Sequence, residues 1–300
     1  MIYRSRAAVG HPAVLGPVGT RAAREREAAN AYYSAHPAPT KSMEFKVYSD
    51  DRVKELLNDL FGKKCAYCEG RYAGMMPVDV EHFRPKGEIV DSAGQRYFPG
   101  YWFLASTWTN LLPSCIDCNR ARWHEIDDEA HKFGKENRFP LAAGGVYATS
   151  LAQLAAEPIL LIDPTNRDPS HHMRFVCKGG MGGRLESVVE PLVVGGASDA
   201  YGVASINTFG LNRPDLANER RLQLQRLELA LDNVAYLYEM ASEELLLERR
   251  TAIKSRAKDF LRRAVVTYLH WKAPYSTACR AFYREWVSRL NAPPAGDRGV

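Results

Sequence analysis

Apolar positions fall into helical register early in the chain. Val53, Leu56, Leu57 and Leu60 recur at i, i+3, i+4 and i+7, the spacing of one buried helix face. Ser49 is placed to cap that helix, Asp50 and Asp51 suit the positive end of its dipole, and Gly62 suits its end. Upstream, Arg21 to Ser34 reads as a short charged helix broken by the prolines after His36, and the first twenty residues as an extended arm. Downstream, Pro77 to Phe83 (PVDVEHF) alternates as a strand does, and a loop carrying Tyr97, Phe98, Tyr101, Trp102 and Phe103 follows. A helix from Pro113 to about Ile126 is expected, with Ser114 as its cap. After Gly144 the pattern predicts strands over 159–162, 173–177 and 192–194, separated by glycine-rich turns such as CKGGMGGR. A leucine-rich helix begins near Pro214, a second rich in Lys and Arg runs from Ala252 to about Leu269, and a frayed tail starts at Pro293.

The 300 residues are 46% hydrophobic and 25% charged, which suits one large globular domain or two smaller ones and argues against extensive disorder. A net charge of +5 is compatible with a polyanionic partner without requiring one. The longest apolar runs are too short to span a bilayer, and MIYRSRAAVGHP lacks the apolar core of a signal peptide. The expectation is a cytoplasmic protein with no membrane partner.

Four of the six cysteines form two Cys-x-x-Cys pairs, Cys65 with Cys68 and Cys115 with Cys118. In a reducing compartment that spacing points to a closed tetrahedral site for structural Zn²⁺ rather than to disulfides. The 46 residues from Glu69 to Ser114 separate the pairs, longer than an ordinary zinc ribbon, so something is inserted between the knuckles. Cys177 and Cys279 are assigned to packing.

The insert carries Glu81-His82, and Asn110 and Asn119 lie in and just after it. Hydrolysing a phosphodiester requires a base for the attacking water and a cation for the developing charge, roles that a histidine and Mg²⁺ or Mn²⁺ fill. Magnesium takes oxygen donors and keeps several waters, so a carboxylate and an amide oxygen suffice. The order Cys-x-x-Cys, Glu-His, Asn-Leu, Cys-x-x-Cys-Asn resembles the HNH endonucleases, whose ββα-metal motif such a zinc site frames in many members. The resemblance implies that His82 is the general base, that Glu81 and Asn119 hold the catalytic cation, and that Asn110 braces the loop carrying the base. Asn119 stands nine positions after Asn110, as that motif asks; His124 is the competing candidate for the second ligand. Neighbours on a regular strand point to opposite faces, so this reading needs the strand to end or bend at His82, with Pro85 close behind. Arg84, Lys86, Arg120 and Arg122 flank these residues and are candidates for contact with neighbouring phosphates.

VEHFRPK followed by W-x-N-L-x-x-S-C-x-x-C-N is similar, more narrowly, to the HNH proteins of Septu and retron-associated anti-phage systems. ILLIDPTNRDPSHHMRF and INTFGLNRPDLANERR extend that likeness from about residue 50 to 225. With the patterns above, it leads us to expect an α+β chain with a ββα-metal core in a mainly helical setting: an arm and short helix over 1–48, a zinc-framed nuclease domain over 49–143, then strands and long helices over 144–300. It also implies a nucleic-acid substrate, DNA before RNA, and an ABC/SMC-type ATPase partner. From the residues alone, a non-catalytic zinc module that binds nucleic acid, or a scaffold built on the long helices, stays open.

Overall fold

Helix α1 (Arg21–Ala35) starts where the Thr20 hydroxyl accepts the amide of Ala23. Helix α2 (Asp51–Phe61) starts where Asp50 accepts that of Arg52. Asp50 is therefore the cap expected of Ser49, whose hydroxyl instead donates to Lys46 O at 2.9 Å. Val53, Leu57 and Leu60 are buried as the periodicity requires, Leu56 is half-buried, and Gly62 closes the helix at φ 65°. The computed structural model describes residues 1–37, 39–72, 78–126, 128–179 and 185–290, so the expected tail and part of the 177–184 turn lie outside the described residues.

Strand β1 (Asp79–His82) is followed by a small hairpin, β2 (Ile89–Val90) with β3 (Arg96–Tyr97), and then by β4 (Leu111–Ser114). β1 and β4 pair antiparallel, with Asp79 opposite Ser114 and His82 opposite Leu111. The helix expected over 113–126 does not form. Helix α3 (Ile116–Asn119) is a single turn with Cys115, not Ser114, at its cap position, and β5 (Arg122–Ile126) and β6 (Glu129–Phe133) follow as a hairpin. The reason is not local. The Lys135 amide donates to Cys118 O (2.8 Å) and that of Glu136 to Asn119 O (2.6 Å), so the carbonyls a longer α3 would use are already taken. The hairpin is thus an excursion from one helical turn, and Gly134 makes the return. At φ 105° it passes so close to Arg120 that a Cβ would sit 2.0 Å from the carbonyl oxygen.

Beyond Gly144, residues 159–162 form no strand; only Ile159 bridges Leu141, and Leu161 and Ile162 are buried without a ladder. Strand β7 (Met173–Lys178) pairs with β8 (Glu186–Pro191), and β9 (Val193–Val194) with β10 (Ala197–Ser198). Helices α4 (Ala200–Phe209), α5 (Pro214–Glu243), α6 (Leu247–Ala264) and α7 (Ser276–Leu290) complete the chain, α4 and α7 being additional to the sequence expectation. The result is a mixed helix-and-strand fold.

Two compact units are present, residues 1–173 with 190–214 and residues 174–189 with 215–300. The arm, the 49–143 segment and the first thirty residues after it share the first unit. In the second, Leu224, Leu227 and Leu231 of α5 pack with Phe282 around Cys177 and Cys279, so the two unpaired cysteines are core residues. None of the described helices is long and apolar enough to cross a membrane.

Candidate functional site

The four cysteines converge. Their sulfurs all lie within 4.8 Å of one another, and Cys68 Sγ is 3.7 Å from Cys115 Sγ. Among the described residues this is the one group of three or more His, Cys, Asp or Glu placed to hold a metal ion. Each knuckle is shaped by its own backbone. In the first, Glu69 at φ 63° lets the Gly70 amide point at Cys68 Sγ (3.3 Å), while the Cys65 amide donates to Gly70 O. In the second, α3 places Cys115 and Cys118 three apart on one turn. Ala66 N donates to Pro113 O, which binds the first knuckle to β4.

Electrostatics favour a cation at the centre. Burial pushes the Cys65 thiol up, but bonding from the other three cysteines outweighs it and holds Cys65 well below its ordinary value. Hydrogen bonding from Cys115, then from Cys65 and Cys68, drives Cys118 well above. Four thiols in this volume cannot all ionise unless positive charge sits among them, and a soft divalent ion such as zinc meets the chemistry of four sulfur donors. Arg213, whose Nη1 is 3.7 Å from Cys118 Sγ and also donates to Phe209 O and Gly210 O, adds a positive charge at the rim. Tyr67, inside the first knuckle, stacks on Phe209 at 3.8 Å. The INTFGLNR segment therefore braces the cysteine cluster, a role its sequence does not announce.

β1 carries the acidic and imidazole groups beside this frame. It stays regular to its last residue, so Asp79 and Glu81 leave one face and His82 the other. His82 is buried; its Nε2 lies 2.8 Å from Ala105 O, and Tyr48 meets the ring edge-on at 4.4 Å. A carbonyl can only accept, so Nε2 carries the proton and Nδ1 keeps a lone pair. Burial, then Lys86, hold the imidazole well below its ordinary value, so it is neutral at physiological pH.

Glu81 points the other way, to Lys135, whose Nζ is 2.7 Å from Oε1 and 2.9 Å from His82 O. Both groups are buried. Burial pushes the Glu81 carboxyl up and the Lys135 ammonium opposes that shift. The charge of Lys86 reaches both Glu81 and His82, favouring the carboxylate and disfavouring the imidazolium. Asn119 does not meet Glu81 directly. Its Nδ2 donates to Asp79 Oδ2 at 3.1 Å, which leaves the amide oxygen as its remaining donor to a cation. His124 sits away in the β5–β6 hairpin opposite His131.

Asn110 is buried and grips the chain just past the histidine. Its Oδ1 accepts Arg84 N at 2.8 Å and its Nδ2 donates to Arg84 O at 3.0 Å, while Asn110 O takes Phe83 N. The basic residues are largely engaged. Arg84 donates to Glu157 (2.8 Å), Arg120 to Asp79 and Arg122 to Asp117, while Lys86 lies 4.5 Å over the Tyr48 ring.

The chain resembles known proteins in sequence. Over 219 residues, 73% of this chain, it is 31% identical to the Septu protein PtuB of Bacillus mycoides. The chain resembles the HNH-type proteins of anti-phage systems. A Vibrio cholerae protein whose name assigns it to retron Vc95 and proposes an HNH endonuclease is 26% identical over 176 residues, 58% of this chain. The Septu protein PtuA of Bacillus mycoides is 24% identical over 200 residues, 66% of this chain but 24% of its own. The chain spans 66% of the length of the PtuB relative and 64% of that of the retron relative. No family model matches it, and no solved structure matches it significantly.

Three side chains around this candidate site carry no motif of their own: Lys135, Glu157 and Asp79. Lys135 was detectable only as a lone lysine between Gly134 and Glu136. Glu157 collects Arg84 Nε, the Tyr101 hydroxyl and Ala148 N on one buried carboxylate. Asp79 shares the alternation of Glu81 but precedes the Glu-His pair.

Proposed function

We propose that the chain is a metal-dependent HNH endonuclease that hydrolyses phosphodiester bonds in nucleic acid, DNA before RNA, as the effector of an anti-phage system. The observation that carries this reading is His82. It is a neutral imidazole with Nε2–H fixed on Ala105 O and Nδ1 bare, at the end of a strand locked to the cysteine frame.

In this reading Nδ1 takes the proton of the attacking water. Asn110 fixes Phe83 and Arg84, and with them the direction of the imidazole. Asn119 supplies an amide oxygen for Mg²⁺ or Mn²⁺, with Asp79 orienting that amide, whereas Glu81 lies on the strand face opposite His82 and joins as the carboxylate donor only by leaving Lys135. The donor set fits a hard cation in kind, since carboxylate and amide oxygens are what magnesium and manganese take. When bound, that cation stabilises charge on the phosphate and leaving oxygen. Zinc at Cys65, Cys68, Cys115 and Cys118 holds β4 and α3 in register with β1. Lys86, whose charge acts on the imidazole, is the candidate phosphate contact beside the base, and Arg120 and Arg122 reach phosphate only by exchanging a carboxylate partner for it.

Likeness to a PtuB and to part of a PtuA supports a second subunit, which we assign to an ABC/SMC-type ATPase. The test is direct. His82→Ala should keep fold and nucleic-acid affinity yet lose cleavage of plasmid, single-stranded DNA or tRNA by at least ~100-fold in Mg²⁺ or Mn²⁺. Equal cleavage by the variant removes His82 as the base, and no cleavage by either protein leaves the zinc-stabilised binding module.

A further inference from the structure

We propose that the first unit captures an unpaired nucleobase in an aromatic pocket beside the candidate active site, so that its substrate is held as a single strand. The proposal rests on the nuclease reading for its purpose, but not for its test.

The pocket encloses about 600 Å³. Tyr97, Phe98, Trp102, Phe103 and Tyr147 contribute ring surface to it. The rings of Tyr97 and Tyr147 lie 4.8 Å apart, and their hydroxyls are turned elsewhere, Tyr97 to Asp91 and Tyr147 to Phe139 O. What they offer is therefore aromatic face rather than hydrogen-bond specificity. Tyr97 and Phe98 are each 40% exposed, an unusual placement for two adjacent aromatic rings. A flat heteroaromatic ligand stacks on such surfaces whatever its base identity.

Phe98 also lines a second, more open hollow that reaches Tyr48 and Lys86. Of the carboxylates there, Glu88 is held by Arg96 and Asn137, and Glu44 by Lys46. The Lys86 ammonium thus faces the hollow as its cation, and Tyr48 is the ring that touches His82. The two hollows share Phe98, and the second holds a lysine suited to a phosphate and the ring that packs on the buried imidazole. In a duplex a base is stacked and paired, and reaching the pocket costs its unpairing. Glu157 ties the pocket to the histidine's loop, since the same carboxylate holds Arg84, in the loop after His82, and Ala148 in the pocket wall.

The test measures binding only. With the full chain carrying His82→Ala, anisotropy of a labelled oligothymidylate is compared with that of an oligomer of the same length built from abasic units. The intact oligomer should bind roughly tenfold tighter. Tyr97→Ala and Phe98→Ala should each shrink that difference towards unity while leaving duplex binding and the melting temperature unchanged. Equal binding of the two oligomers, no binding of either, or duplex affinity falling in step with single-strand affinity overturns the proposal. A base preference without cleavage by the unsubstituted chain sinks the nuclease reading alone, and cleavage without a base preference sinks the pocket alone.

Discussion

Lys135 and Glu81 form an ion pair at 2.7 Å with both side chains out of water. The lysine belongs to the segment that resumes after the β5–β6 excursion, and the glutamate to the middle of β1. Their attraction therefore fastens two parts of the site that are 54 positions apart in sequence. Burying two charges is costly, and the pair is tolerated because each cancels the other's field. Removing one alone should be worse than removing both. We expect Lys135→Met to cost about 3–5 kcal/mol in urea unfolding, the usual cost of stranding a buried charge. Lys135→Met with Glu81→Gln should recover a substantial part. A double variant no more stable than the single one would show that the pair does not carry the linkage.

Asn110 acts through backbone alone. Its amide makes two bonds to Arg84, one donated and one accepted, at 3.0 and 2.8 Å. Asn110→Ala leaves a buried N–H and carbonyl without partners, at about 1–3 kcal/mol each. Asn110→Asp keeps the accepted bond and loses the donated one, so its melting temperature should fall between those of the parent and the alanine variant. Because the loop directs His82, cleavage should decline in the same order while nucleic-acid affinity holds. A ranking with aspartate below alanine would point to charge burial rather than loop bracing.

What was legible in the sequence was what is written locally. A Cys-x-x-Cys pair is its own signature, since the thiols sit on one knuckle, and all four cysteines do meet. The α2 face was legible because four leucines and valines share one period. Beyond the one-residue shift of the α2 cap from Ser49 to Asp50, the misreadings have distant causes. Residues 113–126 carry helix-forming signals, but the acceptors α3 needs are filled by the amides of Lys135 and Glu136, across the hairpin. Residues 159–162 look like a strand because they are apolar, yet they are buried as a loop with a single bridge. Lys135 and Glu157 are invisible for the same reason: a lone charged residue acquires meaning only from partners the fold brings to it.

The cysteine cluster predicts a bound metal with local consequences. The purified chain should carry about one equivalent of zinc, held by four sulfurs. Chelation should open the amides of residues 65–70 and 115–119 to hydrogen exchange, because the thiolates left behind repel one another. The amides of α5 and α7, which pack around Cys177 and Cys279 and not around the metal, should keep their protection. Cys68→Ser should reproduce the effect of chelator without it. Uniform loss of protection along the chain would mean the cluster governs the whole fold rather than its own frame.

His82 sets a pH dependence whose sign can be worked out. Burial, followed by the charge of Lys86, lowers its affinity for protons in the folded state, and the carbonyl of Ala105 only partly opposes this. The unfolded chain protonates this histidine near its ordinary value of about 6.5. Between that value and the lower folded one, the unfolded state binds more protons, so stability rises with pH and is lost as pH falls. This one group should remove up to about 1.4 kcal/mol per pH unit below about 6.5. His82→Gln, which can still donate towards Ala105 O, lacks the titration. Melting curves of the parent and variant taken from pH 7.5 to 5.0 should therefore converge as the pH drops, the parent losing its advantage. Cleavage, for its part, should show no decline between pH 8 and pH 6.5, because the base is already unprotonated throughout. Parallel melting curves, or a rate that halves near pH 6.5, would place the imidazole in water and out of the setting that makes it a base.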